Sequence, residues 1–240
     1  MKFYFYLKNF LLISLAFFIN TVFASNISVE PTTVILTPKN TVQSITVANA
    51  DVQPLLLQIQ SMAWTQMNGL DSYQNTQDLL ISPPIVNIPP GEERIIRIGF
   101  INQAFPLKAE RPYRIFLQQV LTDKETHLIN SDKIKVALRI GIPVFIEPQT
   151  NPQPQLIWKR TVSKNGEIFL SANNIGTKHV KINAIQIKDA NNKTFLLDDF
   201  KYILPNSTQY WTLPKDRHIQ SPLSLRIEAS DQSTEKIILK

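Results

Sequence analysis

Ile134-Lys135-Val136-Ala137-Leu138-Arg139-Ile140-Gly141-Ile142-Pro143-Val144-Phe145 carries a large apolar side chain at every second position from Ile134 to Ile142, with charged or small residues between. A period of two dominated by β-branched residues predicts a strand with one apolar and one polar face. Pro143 cannot donate to a sheet ladder, which places it at a sheet edge or a strand end. Long apolar edges invite pairing with other chains, and folded proteins usually suppress them. Two readings stay open at this point. The ladder is either a strand central to its own domain or an edge kept so that something else can pair with it.

The start of the chain sets the compartment. Lys2 and Lys8 precede an apolar run from Phe10 to Ile19, and Val22-Phe23-Ala24 ends the stretch with a small residue. That is the pattern of a cleaved secretory signal over residues 1–24, with an apolar core too short to span a bilayer. The expected mature chain is exported and starts near Ser25. It has no cysteine, so no disulfide supports it and each domain must bury a sufficient core. The formal charge is +6, and without Lys2 and Lys8 the mature chain keeps +4. The Lys and Arg residues are dispersed, whereas a nucleic-acid face needs basic clusters with interleaved aromatics.

Short alternating runs predict strands over Ile27–Leu36, Val42–Val47, Leu55–Trp64, Ile85–Ile88, Arg94–Phe100, Tyr113–Leu121 and Ile134–Phe145. Pro38-Lys39-Asn40, Met67-Asn68-Gly69, Pro83-Pro84 and Pro89-Pro90-Gly91 separate them with turn chemistry. About seven strands at this spacing predict an immunoglobulin-like sandwich. Asp71–Leu80 shows no clear period and reads as a loop. Glu147-Pro148-Gln149-Thr150-Asn151-Pro152-Gln153-Pro154 reads as a stiff link. Beyond it, strands are expected over Ile157–Val162, Ile168–Ala172, Val180–Lys188, Thr194–Leu197, Tyr210–Leu213, Leu223–Glu228 and Lys236–Leu239. Their main turns are Asn173-Asn174-Ile175-Gly176 and Leu204-Pro205-Asn206-Ser207. The expected organisation is a first sandwich over 25–147, a linker over 148–154 and a second sandwich over 155–240, with a cleft between the two.

No enzyme emerges. His127, His179 and His218 are far apart and none lies at metal-ligand spacing from another. Nucleophile elbows and phosphate-binding loops are missing, and Glu92-Glu93 and Asp198-Asp199 read as solvated charge. No cofactor or metal is expected. Asn26, Asn192 and Asn206 each head a glycosylation sequon, a short motif that matters only in a eukaryotic secretory route.

Several segments taken in order resemble the periplasmic chaperones of chaperone–usher pilus assembly. They are Ile27-Ser28-Val29-Glu30-Pro31, Trp64 with Gly69, Ile81-Ser82-Pro83-Pro84, and Ile88-Pro89-Pro90-Gly91 with Arg94 and Arg97. Arg111-Pro112-Tyr113-Arg114-Ile115-Phe116, Arg139-Ile140-Gly141-Ile142-Pro143-Val144-Phe145, Asn174-Ile175-Gly176 and Tyr202-Ile203-Leu204-Pro205 continue it over nearly the whole mature chain. The pattern is most similar to the branch that assembles archaic-type pili.

The resemblance implies two immunoglobulin-like domains in an L or boomerang arrangement. It further implies a periplasmic protein that binds incomplete pilus subunits by donor-strand complementation and delivers them to an outer-membrane usher. Ile134, Val136, Leu138 and Ile140, extended by Ile142, would fill the subunit's groove. In the family two basic residues hold the subunit's C-terminal carboxylate; the matching positions here are Thr33 and Pro143, neither of them basic. Arg139, Arg97 and Arg114 are the candidate replacements, each with the alternative of being a solvated strand arginine. Gln119 and Leu121 stand where related chains carry Glu and Pro. Without a subunit, the bare edge is expected to be capped by self-association or by loop ordering. The rival reading is an exported structural or adhesive sandwich, such as a pilus component or a carbohydrate-binding module.

Overall fold

The computed structural model describes residues 27–101, 107–121, 137–213, 219–229 and 234–239. Residues 1–24, Ile134, Val136, His127 and His218 lie outside the described residues. The first half contains β1 (Ile27–Glu30), β2 (Val34–Leu36), β3 (Val42–Asn49), β4 (Leu55–Met67) and β5 (Leu70–Asn75). It continues with β6 (Leu79–Ser82), β7 (Ile85–Ile88), β8 (Glu93–Phe100), β9 (Arg111–Gln119) and β10 (Arg139–Ile146). One sheet has the order β1-β3-β8-β6, and the other has the order β2-β10-β9-β4-β5 with β7 also on β4. Alternation decides what lies between them: Ile45, Val47, Ile96 and Ile98 from one face meet Leu57, Ile59, Ile115, Leu117 and Val144 from the other.

The second half contains β11 (Leu156–Val162), β12 (Ile168–Asn174), β13 (Val180–Lys188) and β14 (Thr194–Leu197). After these come β15 (Lys201–Ile203), β16 (Ser207–Thr212), β17 (Leu223–Ala229) and β18 (Thr234–Leu239). The sheet β11-β12-β16 faces the sheet β14-β13-β17-β18, with β15 also on β13. Leu170, Ala172 and Trp211 pack against Ile182, Ile185, Leu225 and Ile227 to form a separate core. The fold class is therefore all-β, in two immunoglobulin-like sandwiches.

The structure departs from the predicted elements most clearly in five places. Asp71–Leu80 is not a loop: it holds most of β5 and the start of β6. β5 reads poorly because nearly all of its residues are exposed, so neither face required apolar side chains; it exists because β4 extends to Met67 and offers it a partner. The expected strand Ile27–Leu36 is two strands, because the chain leaves one sheet at Pro31 and joins the other. β15, three residues long, was below the length at which a period can be read. Asn173 and Asn174 end β12, and the turn follows them. Finally, β10 begins at Arg139, with Ala137 and Leu138 preceding it outside any strand.

Candidate functional site

β10 separates the apolar ladder into two kinds of residue. Its even-numbered side chains face the interior of the first sandwich, and their burial rises along the strand. Leu138 and Ile140 are half-buried, Ile140 packing on the rim of the core. Ile142 is 4% exposed and belongs to the core itself, with Val144 and Ile146 behind it. Ile142 is thus held by its own domain.

The backbone divides further along, between Pro143 and Val144. β9 pairs with β10 along its whole length, from Arg139 opposite Gln118 to Ile146 opposite Arg111. On the other side, β2 pairs in parallel only with Val144–Ile146. Among the described residues, Arg139–Pro143 has no strand along its outer margin. Pro143 stands where the covered part begins, a position its missing N–H suits.

The odd-numbered side chains of β10 face away from the sandwich. The Arg139 guanidinium lies over the Phe116 ring, 4.0 Å from its centroid. Gly141 opposite Phe116 makes room for this face: a Cβ there would stand 3.0 Å from Phe116 Cε1 and 3.1 Å from Arg114 Cδ. Arg114 leans over the Trp64 ring at 4.2 Å and donates from Nη1 to the Tyr73 hydroxyl at 2.8 Å. Its Nε is buried without an acceptor among the described residues. Arg114 and Arg139 therefore share one face of one sheet. Arg97 does not join them; it is exposed on β8 in the opposite sheet, in register with Ser44 and Ser82.

Arg114 also reaches a cleft between the domains. A cavity of about 300 Å³ is lined by Gln66, Leu70, Asp71 and Arg114 from the first domain and by Phe200 and Lys201, among others, from the second. Its cations are on opposite walls, and Leu70 and Phe200 are exposed apolar residues beside them. Burial pushes the Tyr73 hydroxyl pKa up to about 12; the Arg114 charge opposes that and the bond to Asp71 adds to it. Tyr113 is pushed up by burial and by its 2.7 Å bond to Asp78. Among the described residues no group of three His, Cys, Asp or Glu could hold a metal ion.

Residues 26–152 match the family model of pili and flagellar-assembly chaperones, PapD N-terminal domain. The chain belongs to this family. The chaperone fold extends past the matched segment. A chain of the CsuC–CsuE chaperone–tip adhesion subunit complex from the archaic Csu pili of Acinetobacter baumannii superposes with a TM-score of 0.66 at 19% identity, covering 90% of this chain and 98% of that one. A chain of the Salmonella enterica SafA pilin–SafB chaperone complex gives 0.65 at 14% identity, covering 91% and 99%. The Pseudomonas aeruginosa CupB2 chaperone gives 0.62 at 14%, covering 89% and 100%. No curated protein matches the chain by sequence.

In this chaperone the domain junction is a built interface. Trp64, Phe145 and Leu204 form a buried cluster with Tyr73 and Tyr202 around it. Trp64 and Phe145 project from the outer face of the β4–β9–β10 sheet, so the second domain covers what would otherwise be an exposed aromatic surface. Lys178 pairs with Glu147 at 2.7 Å, and His179 reaches Glu110. Sequence reasoning identified none of Gln66, Glu110, His179 or Lys201 as part of a site. Partners such as Glu110 and His179 are 69 positions apart, and no local pattern reports such a pair.

Proposed function

We propose that this chaperone holds incomplete pilus subunits in the periplasm by lending them the strand whose apolar ladder runs from Ile134 to Ile140, and that it delivers them to an outer-membrane usher. The observation that carries the reading is the margin of Arg139–Pro143, paired by β9 on one side and, among the described residues, without a strand on the other. Strand addition to such an edge is a known recognition mode, with chaperone–pilin pairing among its instances. Main-chain bonds supply affinity, and alternate side chains supply pocket contacts.

The lent side chains are Ile134, Val136, Leu138 and Ile140. Burying four such groups contributes roughly 6–12 kcal/mol gross. Association and ordering oppose that by roughly 4–15 kcal/mol, so backbone pairing and a further anchor are required. Arg114 is the anchor we assign: it lines the cleft, and its fork geometry suits a terminal carboxylate. Arg139 lies over Phe116 between Leu138 and Ile140 of the lent strand and serves as a secondary contact. Without a subunit the same margin is a template for a second copy. Assignment to the archaic branch follows from the order of motifs in the sequence, and the similarity to a Csu chaperone complex supports it.

The test is co-purification from a periplasm expressing a chaperone–usher gene cluster, read by mass spectrometry. Wild type should bring down pilus subunits, and Leu138→Asp should not, while remaining folded. Equal subunit recovery with both proteins would refute strand donation.

A further inference from the structure

Gln66 sits near the end of β4, half-buried, with its amide between the two domains. Its Nε2 donates to the Tyr202 carbonyl at 2.9 Å and to Asp71 Oδ1 at 2.9 Å, and its Oε1 accepts the Leu204 N–H at 3.0 Å. A group that donates to the carbonyl of one residue and accepts from the N–H two positions on does what a parallel neighbouring strand does. β15 is paired on one side by β13. A single side chain of the first domain thus satisfies backbone groups at the end of β15 that β13 leaves available.

The hairpin that carries Gln66 is seated just as closely. Asn68 and Gly69 turn it with φ of 53° and 78°, the paired positive values a two-residue hairpin turn requires. A Cβ at Gly69 would stand 2.8 Å from Tyr210 Cδ2, so the tip lies flush against β16. The cleft is on this same side: Gln66 lines it together with Arg114 of the first domain and Lys201 of the second.

We propose that Gln66 is a positioning residue that fixes the orientation of the two domains and, through it, the distance between Arg114 and Lys201 across the cleft. Its consequence for subunit capture rests on the function proposed above; its effect on domain orientation does not.

Because the chain has no cysteine, Ser44→Cys and Thr194→Cys place one spin label on the exposed surface of each domain. Pulsed electron resonance then reads the interdomain distance in the full chain. The wild-type background should give one narrow distribution. Gln66→Met, similar in size but unable to bond, should broaden or shift it with both domains folded, and weaken subunit binding about tenfold. Gln66→Glu should do the same at neutral pH and regain the wild-type distance as the introduced carboxyl protonates near pH 4, with the wild-type background measured at each pH. An unchanged distribution in Gln66→Met, or no recovery of Gln66→Glu in acid, would overturn the role. Should Gln66→Met fail to fold, the acid recovery of Gln66→Glu decides alone. A wild-type protein that captures no subunit would refute the chaperone reading and leave the distance result standing.

Discussion

The Nδ1 of His179 lies 2.7 Å from Oε1 and 2.9 Å from Oε2 of Glu110, and the same imidazole is stacked on Phe145 with ring centroids 3.5 Å apart. Glu110 belongs to the approach to β9 and His179 to the approach to β13, so the pair joins the domains. The Glu110 side chain is fully buried. It accepts from the His179 backbone N–H as well, and its own N–H donates to the Thr177 carbonyl.

Removing this carboxylate should uncouple the domains. Glu110→Ala leaves the imidazole N–H and the backbone N–H of His179 without their acceptor, and a buried unsatisfied donor costs about 1–3 kcal/mol. Denaturant unfolding should show the two domains melting at separated midpoints where the wild type melts as one. A single transition within about 0.5 kcal/mol of wild type, the range of an ordinary surface change, would contradict it.

The ladder on β10 should respond in two ways. Ile142→Ala removes a core side chain, and the expected loss of chaperone stability is about 2–5 kcal/mol. Leu138→Ala, half-buried, should cost less than about 1 kcal/mol of stability while weakening subunit binding. Thermal melts of the free chaperone and affinities for a purified subunit separate the effects. Equal losses of stability at the two positions would mean that the whole ladder serves its own fold.

The three candidate arginines should rank by position. Arg114→Ala should raise the dissociation constant for a subunit about tenfold to a hundredfold, the range for a hydrogen bond to a charged group. Arg139→Ala should have a smaller effect. Arg97→Ala, on the opposite sheet, should have none. An effect of Arg97→Ala as large as that of Arg114→Ala would move the anchor away from the cleft.

Legibility in the sequence followed physical locality. Strands with one dry face, such as Val42–Asn49 and Arg111–Gln119, announce themselves because burial enforces alternation. β5 has almost no dry face and stayed hidden. The ladder from Ile134 to Ile142 was visible, yet the division between Ile140 and Ile142 was not, since it depends on how far the core of the first sandwich reaches along β10. Arg114 was readable as a strand cation, but only the second domain places it in a cleft. Gln66 has no period, charge or motif to mark it. Its significance lies in two backbone groups more than 130 positions away.

Tyr73 ties the cleft to pH. Its hydroxyl donates to Asp71 Oδ2 at 2.9 Å and accepts from Arg114, and its pKa stands at about 12 in the folded chain against 10.0 for a free tyrosine. A folded pKa above the unfolded one means that the folded state holds the proton more tightly. The resulting stabilisation is complete below about pH 10 and is lost as pH rises toward 12. Tyrosinate absorbance should therefore show Tyr73 and Tyr113 titrating late, with unfolding following their ionisation. Arg114→Ala removes a positive neighbour that favours the tyrosinate, so it should delay the Tyr73 step further. A Tyr73 that ionises at the ordinary tyrosine pH in the folded protein would show that the Asp71–Tyr73–Arg114 arrangement does not hold in solution.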